Sequence, residues 1–207
     1  NLQGNINDSG SFAQIGTSGG TVFIGNTVPT TIQIGSGGAA FNRAVTLNRS
    51  LSLTAPGNIT FAQNLNSAVG QTSNLTLNSS GILSFSNNVG NTTALGVIDA
   101  STATLTGITA TNVNAVIKAQ SFNSGFVAGD INLTTPQTYS TAAGLNLTTV
   151  AGSGTSNITL GAVTTSNGGV VNIQNVDSLK LQGTLTLDGA FTQTNNDLSS
   201  SNEDVEF

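Results

Sequence analysis

Cysteine, histidine, methionine and tryptophan are absent from the 207 residues. Without histidine or cysteine, neither a Ser–His–Asp triad nor a thiol nucleophile can be assembled, and the usual zinc ligand sets fall with them. No Gly-x-x-x-x-Gly-Lys-Ser/Thr loop occurs, so nucleotide binding has no support. The lack of cysteine argues against a disulfide-stapled fold. It also suits export, because an early disulfide would obstruct a chain that threads through a secretion pore before folding.

Charge is scarce as well. Only 6% of residues are charged, against about 25% in an ordinary soluble protein. The four basic residues, Arg43, Arg49, Lys118 and Lys180, are far apart, and the net charge is −5. A nucleic-acid ligand needs a basic stripe that releases counterions, and none exists here. A polybasic membrane patch is excluded on the same ground. No apolar run is long enough for a membrane-spanning helix, and no signal peptide is legible. A chain that starts at asparagine and holds no methionine reads as a processed chain or an excised fragment.

Asparagine, serine, threonine and glycine stand where charge would be. Apolar residues still make up 37% of the chain, mostly Val, Ile, Leu and Phe. Disorder goes with low hydrophobicity and high net charge, so this composition points to a folded chain with a thin core.

The recurring unit is apolar–polar–apolar, the period-two signature of a short strand. It occurs at Val22–Ile24, Ile32–Ile34, Val45–Leu47, Leu51–Leu53, Ile59–Phe61, Leu75–Leu77 and Leu83–Phe85. It continues at Ile131–Leu133, Leu145–Leu147, Ile158–Leu160, Val171–Ile173, Leu179–Leu181 and Leu185–Leu187. Helical spacing is nearly missing; the one weak stretch, Val113 to Ala119, also fits a strand. Pro29, Pro56 and Pro136 fall between strand cores, where a missing donor does least harm. The strands start at uneven intervals, so the repeat is degenerate. Coils of roughly 20–25 residues with two or three strands each fit such an array. The expected fold is therefore all-β, a parallel β-solenoid over residues 1–194, with a β-sandwich or jelly roll as runner-up. Residues 195–207, which carry four of the nine acidic side chains, read as a polar acidic tail or linker. Val205 and Phe207 leave room for an alternating terminal strand there.

The segment GNITFAQNLNSAVGQTSNLTLNSSGILSFSNNVGNTTALGVIDAST, Gly57 to Thr102, resembles the repeats of filamentous haemagglutinin-like exoproteins. LQGTLTLDGAFTQT, Leu181 to Thr194, has the same character. The resemblance covers most of residues 20–194 and rests on repeat style. It extends to the passengers of two-partner secretion and autotransporter systems. It implies a right-handed parallel β-helix, secretion to the bacterial cell surface in association with the outer membrane, and adhesion.

The remaining chemistry-bearing residues are few. A polysaccharide-active β-helix would need paired carboxylates, or aspartates holding Ca²⁺. Asp8, Asp99, Asp130, Asp177 and Asp188 are each isolated in sequence, and Asp177 with Asp188, around Lys180, is the one local candidate pair. The Ca²⁺-binding Gly-Gly-x-Gly-x-Asp repeat is absent. Asn-x-Ser/Thr occurs at Asn7, Asn48, Asn58, Asn74, Asn78, Asn91, Asn132, Asn146 and Asn157. Asn48, Asn58, Asn74, Asn91, Asn132, Asn146 and Asn157 are the candidate glycosylation sites among them, although a chain this rich in Asn, Ser and Thr forms such triplets by chance. Thr-x-Thr runs at Thr102–Thr111, Thr184–Thr186 and Thr192–Thr194 would suit an ice-binding face only if repeated on successive coils.

The function expected from the sequence is non-enzymatic. It is a structural and adhesive segment of an exported surface protein that attaches to cells, glycans or matrix. A self-assembling filament, sheath or biofilm-matrix subunit, whose partner is another copy, is the alternative. A polysaccharide-active β-helix comes third. No cofactor, metal or nucleic-acid partner is implied.

Overall fold

A computed structural model describes residues 1–15, 20–81, 83–100, 111–113, 118–127, 131–133, 136–149, 157–174, 178–194 and 204–206. Among them every strand pairing is parallel. Each strand pairs with one from the next turn of the chain, so the fold is a β-solenoid. A sandwich, built from antiparallel sheets, is excluded.

The coils wind over three faces. The first face is an eleven-stranded sheet that starts with Ile6–Asp8, Thr30–Ile34, Leu51–Ala55, Leu75–Ser79 and Leu95–Ala100. The second is nine-stranded and runs from Phe12–Gln14 through Ala39–Phe41, Ile59–Phe61 and Leu83–Phe85 to Ser178–Leu181 and Asp204–Glu206. The third holds Thr21–Ile24, Ala44–Leu47 and Leu65–Ser67, extended by single bridges from Leu2 to Ile24 and from Leu65 to Val89. The acidic segment near the C-terminus thus contributes a strand to the second face, paired with Ser178–Leu181.

Further along, the third face merges into the first. Gln137–Thr149 is a single strand whose two halves pair with different strands of the next coil. Its start pairs with Val163–Thr165, and its end with Val171–Gln174. Gly144, in the left-handed region at φ +57°, lies between the two halves.

Period-two alternation turns one residue in two inward. Leu51, Leu53 and Ala55 are buried on one strand, and Leu75, Leu77 and Ser79 on the next, in register. Side chains of like size therefore stack in columns. The second face stacks Phe41 on Phe61 on Phe85, with ring centroids 4.8 and 5.3 Å apart. Phe12 tilts against Phe41 at 5.1 Å. Each such pair adds about 0.5–1.5 kcal/mol beyond the area it buries. A narrow core of this kind needs no tryptophan and few aromatics.

The uneven strand spacing has a simple cause. From Phe12 to Ala39 to Ile59 to Leu83, paired residues are 27, 20 and 24 positions apart. The extra residues sit at the corners, while the strands keep register. Backbone packs tightly where the first face turns into the second. Gly37 donates to the Gly10 carbonyl and Gly57 to the Gly37 carbonyl, each at 2.9 Å. A Cβ at Gly57 would lie 2.8 Å from the Gly38 nitrogen, so this corner admits only glycine.

Candidate functional site: an uncharged groove on the third face

The outward positions of the solenoid are mostly small and polar. On the first face one outward column runs Thr31, Ser52, Thr76, Asp99 by register. After Asn123, whose backbone keeps the register, Asn146, Asn172 and Thr192 follow. Where two amides meet, they bond: Asn172 Nδ2 donates to Asn146 Oδ1 at 2.9 Å. That bond links the two coils without an ion pair.

The third face departs from this pattern. In Thr21–Ile24 the alternation puts Ile24 in the core and leaves Phe23 facing out, 40% exposed. Phe23 is in register with Thr46, and Thr46 with Asn66. Past Asn66, the turn at Ala68–Gln71 closes with Gln71 N–H donating to the Ala68 carbonyl at 3.0 Å. That turn holds Val69 out in solvent, 90% exposed. Arg49 Nη1 donates to Gln71 Oε1 at 2.8 Å and braces the turn from behind.

The following coil supplies the other wall. Thr92 N–H donates to Asn66 Oδ1 at 3.1 Å, and Ser67 N–H to the Thr93 carbonyl at 3.2 Å. Phe23, Thr46, Asn66, Val69, Thr92 and Thr93 line an open hollow of about 350 Å³. No ionisable side chain lines it. Its chemistry is one aromatic face, a valine, and a rim of hydroxyl and amide groups. Such a lining can contact a neutral surface that offers both apolar and hydroxyl groups.

Beneath the hollow, buried hydroxyls stiffen the floor. Ser73 Oγ donates to the Leu47 carbonyl at 3.0 Å, and Ser73 N–H donates to Ser67 Oγ at 3.0 Å. Both serines are buried and both are satisfied.

The aspartates singled out in the sequence do not gather. Asp8 accepts the Gly10 N–H at 2.9 Å and caps its own turn. Asp99 stands in the outward ladder of the first face. Asp188 accepts the Gly168 N–H at 2.8 Å. Asp130 and Asp177 lie outside the described residues, so the Asp177–Asp188 pair has no described geometry. Among the described residues no group of three or more acidic side chains could hold a metal ion.

The sequon asparagines fall into two sets. Asn48 Nδ2 donates to the Gly25 carbonyl at 3.0 Å, Asn146 Nδ2 to the Ala143 carbonyl at 2.7 Å, and Asn78 Nδ2 to Thr54 Oγ1 at 3.4 Å. The amide nitrogens of Asn48 and Asn78 bond to the neighbouring coil, and that of Asn146 within its own strand. Asn7, Asn58, Asn74 and Asn91 are exposed. Asn74 Oδ1 accepts the Val97 N–H at 2.9 Å. Asn132 and Asn157 pair in second-face strands, with side chains outside the described residues.

Among the described residues the Thr-x-Thr pairs do not repeat on successive coils, although Thr186 stands in register with the single exposed threonines Thr164 and Thr138. Thr192 and Thr194 stand beside Asn172 and Gln174, and Thr102 to Thr109 lie outside the described residues. The groove was not legible in the sequence, because its residues come from successive coils. The one local signal was an outward phenylalanine in an alternating strand.

Compared with protein-family models, curated proteins and solved structures, the chain matches none.

Proposed function

We propose that this chain is a non-enzymatic, adhesive rod segment of an exported bacterial surface protein, attaching it to cells, glycans or matrix. The observation that carries the reading is the uncharged groove of the third face. There Phe23 and Val69 line one hollow; with Ile15, Val28 and Phe191 they are the large apolar side chains left exposed among the described residues. Fully burying an exposed large apolar side chain is worth about 1.5–3 kcal/mol; Val69 has nearly all of that to gain and Phe23, partly covered already, a share of it. A partner that covers them recovers that free energy. The parallel stack supplies the lever: each coil adds about 4.8 Å of length and holds the groove on a stiff surface.

The non-enzymatic part rests on residue types and placement. Histidine and cysteine are missing from the chain; Asp8 caps its own turn, and Asp188 accepts a backbone N–H of the preceding coil. Export to the bacterial surface rests on the low charge, the lack of cysteine and the likeness to exoprotein repeats. Exposed Asn58, Asn74 and Asn91 suit glycosylation in that setting.

The test is to probe purified chain against cells, matrix proteins and a glycan array, with size-exclusion chromatography in parallel. A monomeric rod with saturable binding supports adhesion. Fibres without binding transfer the function to self-assembly. Turnover of a polysaccharide would overturn the non-enzymatic reading.

A further inference from the structure

The turn Ser166–Gly169 closes with Gly169 N–H donating to the Ser166 carbonyl at 3.1 Å. Its central residues, Asn167 and Gly168, have φ of +55° and +74°. Two positive values in succession define a type I′ turn, for which Asn-Gly is a favoured pair. That pair is also the chemically weakest setting for an asparagine. Glycine leaves its own nitrogen unshielded, and this nitrogen can attack the preceding side-chain amide. The chain holds 26 asparagines and 25 glycines, yet Asn167–Gly168 is its only Asn-Gly step. Random pairing at those frequencies would give roughly three.

The reacting groups are tied down from both sides. Gly168 N–H donates to Asp188 Oδ2 at 2.8 Å, and Asp188 belongs to the next coil. Asn167 Nδ2 donates to the Ser140 carbonyl of the previous coil at 2.9 Å. Asp188 N–H donates to Thr165 Oγ1 at 3.0 Å, and that hydroxyl donates to the Gly169 carbonyl at 2.7 Å. To become a nucleophile the Gly168 nitrogen must lose its proton. The Asp188 carboxylate holds that proton and repels the anion that its loss would create.

We infer that Asn167–Gly168 is a latent deamidation site, kept intact by the docked Asp188 coil and exposed to reaction when that coil lifts away. In the reaction the Gly168 nitrogen bonds to Asn167 Cγ. The Cγ–Nδ2 bond breaks, and ammonia leaves with the proton that the Gly168 nitrogen gives up. Water then opens the cyclic imide at either carbonyl and leaves aspartate or isoaspartate. Neither product keeps the donor to Ser140, and both add a negative charge beside Asp188. The change therefore loosens the corner irreversibly, a chemical record of how often this end of the rod has opened.

The experiment ages the full chain at mildly alkaline pH, natively and in urea. Peptide mass mapping follows Asn167, with Asn78–Ser79 in the same digest as internal control. Wild-type Asn167 should react at least about tenfold more slowly in native protein than in urea, as expected for a charge-assisted hydrogen bond. Asp188→Ala should raise the native rate at Asn167 by about tenfold and leave Asn78 unchanged. Equal wild-type rates in native protein and urea would overturn the inference. So would an Asn167 rate unaltered or slowed by Asp188→Ala. Should the variant unfold throughout, Asn78 would accelerate together with Asn167, and the wild-type comparison then decides alone.

Discussion

The Phe41 and Phe61 rings lie 4.8 Å apart and within 3° of parallel, one coil above the other in strict register. Phe61 also stacks on Phe85 at 5.3 Å, so it is the middle ring of a column. Its removal opens a cavity that touches three coils. Phe61→Ala should cost about 3–5 kcal/mol, and Phe61→Leu clearly less, read as a shift in urea midpoint. A solenoid transmits stability between neighbours. Hydrogen exchange should therefore rise first in the strands Ala39–Phe41 and Leu83–Phe85.

Gly144 makes the long strand Gln137–Thr149 possible. At φ +57° it occupies a region that side chains avoid, and a Cβ would overlap the Val170 backbone of the next coil. Leu145 N–H donates to the Val170 carbonyl at 2.9 Å at the same place. Gly144→Ala should destabilise by about 2–3 kcal/mol. Limited proteolysis should then show preferential cleavage beyond residue 136, with Leu51–Ala55 and its neighbours protected.

Tyr139 is fully buried, and its hydroxyl has no hydrogen-bond partner among the described residues. Burial pushes its ionisation well above the ordinary value of 10.0. The folded chain keeps the phenol proton at pH values where the unfolded chain releases it. Unfolding is thus coupled to proton release. The contribution of Tyr139 is complete below about pH 10 and falls as pH rises further. Tyr139→Phe removes an unsatisfied hydroxyl at nearly constant volume, so it should raise stability by about 1 kcal/mol near neutral pH. The gain should widen on going to alkaline conditions in paired urea titrations. A loss of stability in the variant would place a partner on that hydroxyl.

Much of the fold was legible because inward residues are strongly apolar. Leu51–Leu53, Ile59–Phe61 and Leu75–Leu77 announce themselves by alternation alone, and all three are strands. Phe12–Gln14, Ala39–Phe41 and Leu65–Ser67 carry a weaker signal, because alanine, glutamine and serine take positions that a leucine would mark. The fusion of two faces in Gln137–Thr149 could not be read locally, since Ala142, Ala143 and Gly144 interrupt the pattern. The division into three faces is a property of register between coils. The same holds for the groove: Phe23 and Thr46 are neighbours only because Thr21–Ile24 pairs with Ala44–Leu47.

The attachment reading meets its most direct test in a binding titration. Wild-type chain, Phe23→Ala and Val69→Asp would be titrated against whichever cell-surface glycan or matrix ligand the panel identifies. Val69 is 90% exposed, so Val69→Asp should keep wild-type stability to within about 0.5 kcal/mol; Phe23 is partly covered, so Phe23→Ala should cost about 1 kcal/mol and still fold. The account predicts saturable wild-type binding that weakens at least about tenfold in each variant, as for a central apolar contact. Equal affinity of all three proteins, or no binding by wild type to any member of the panel, would contradict it.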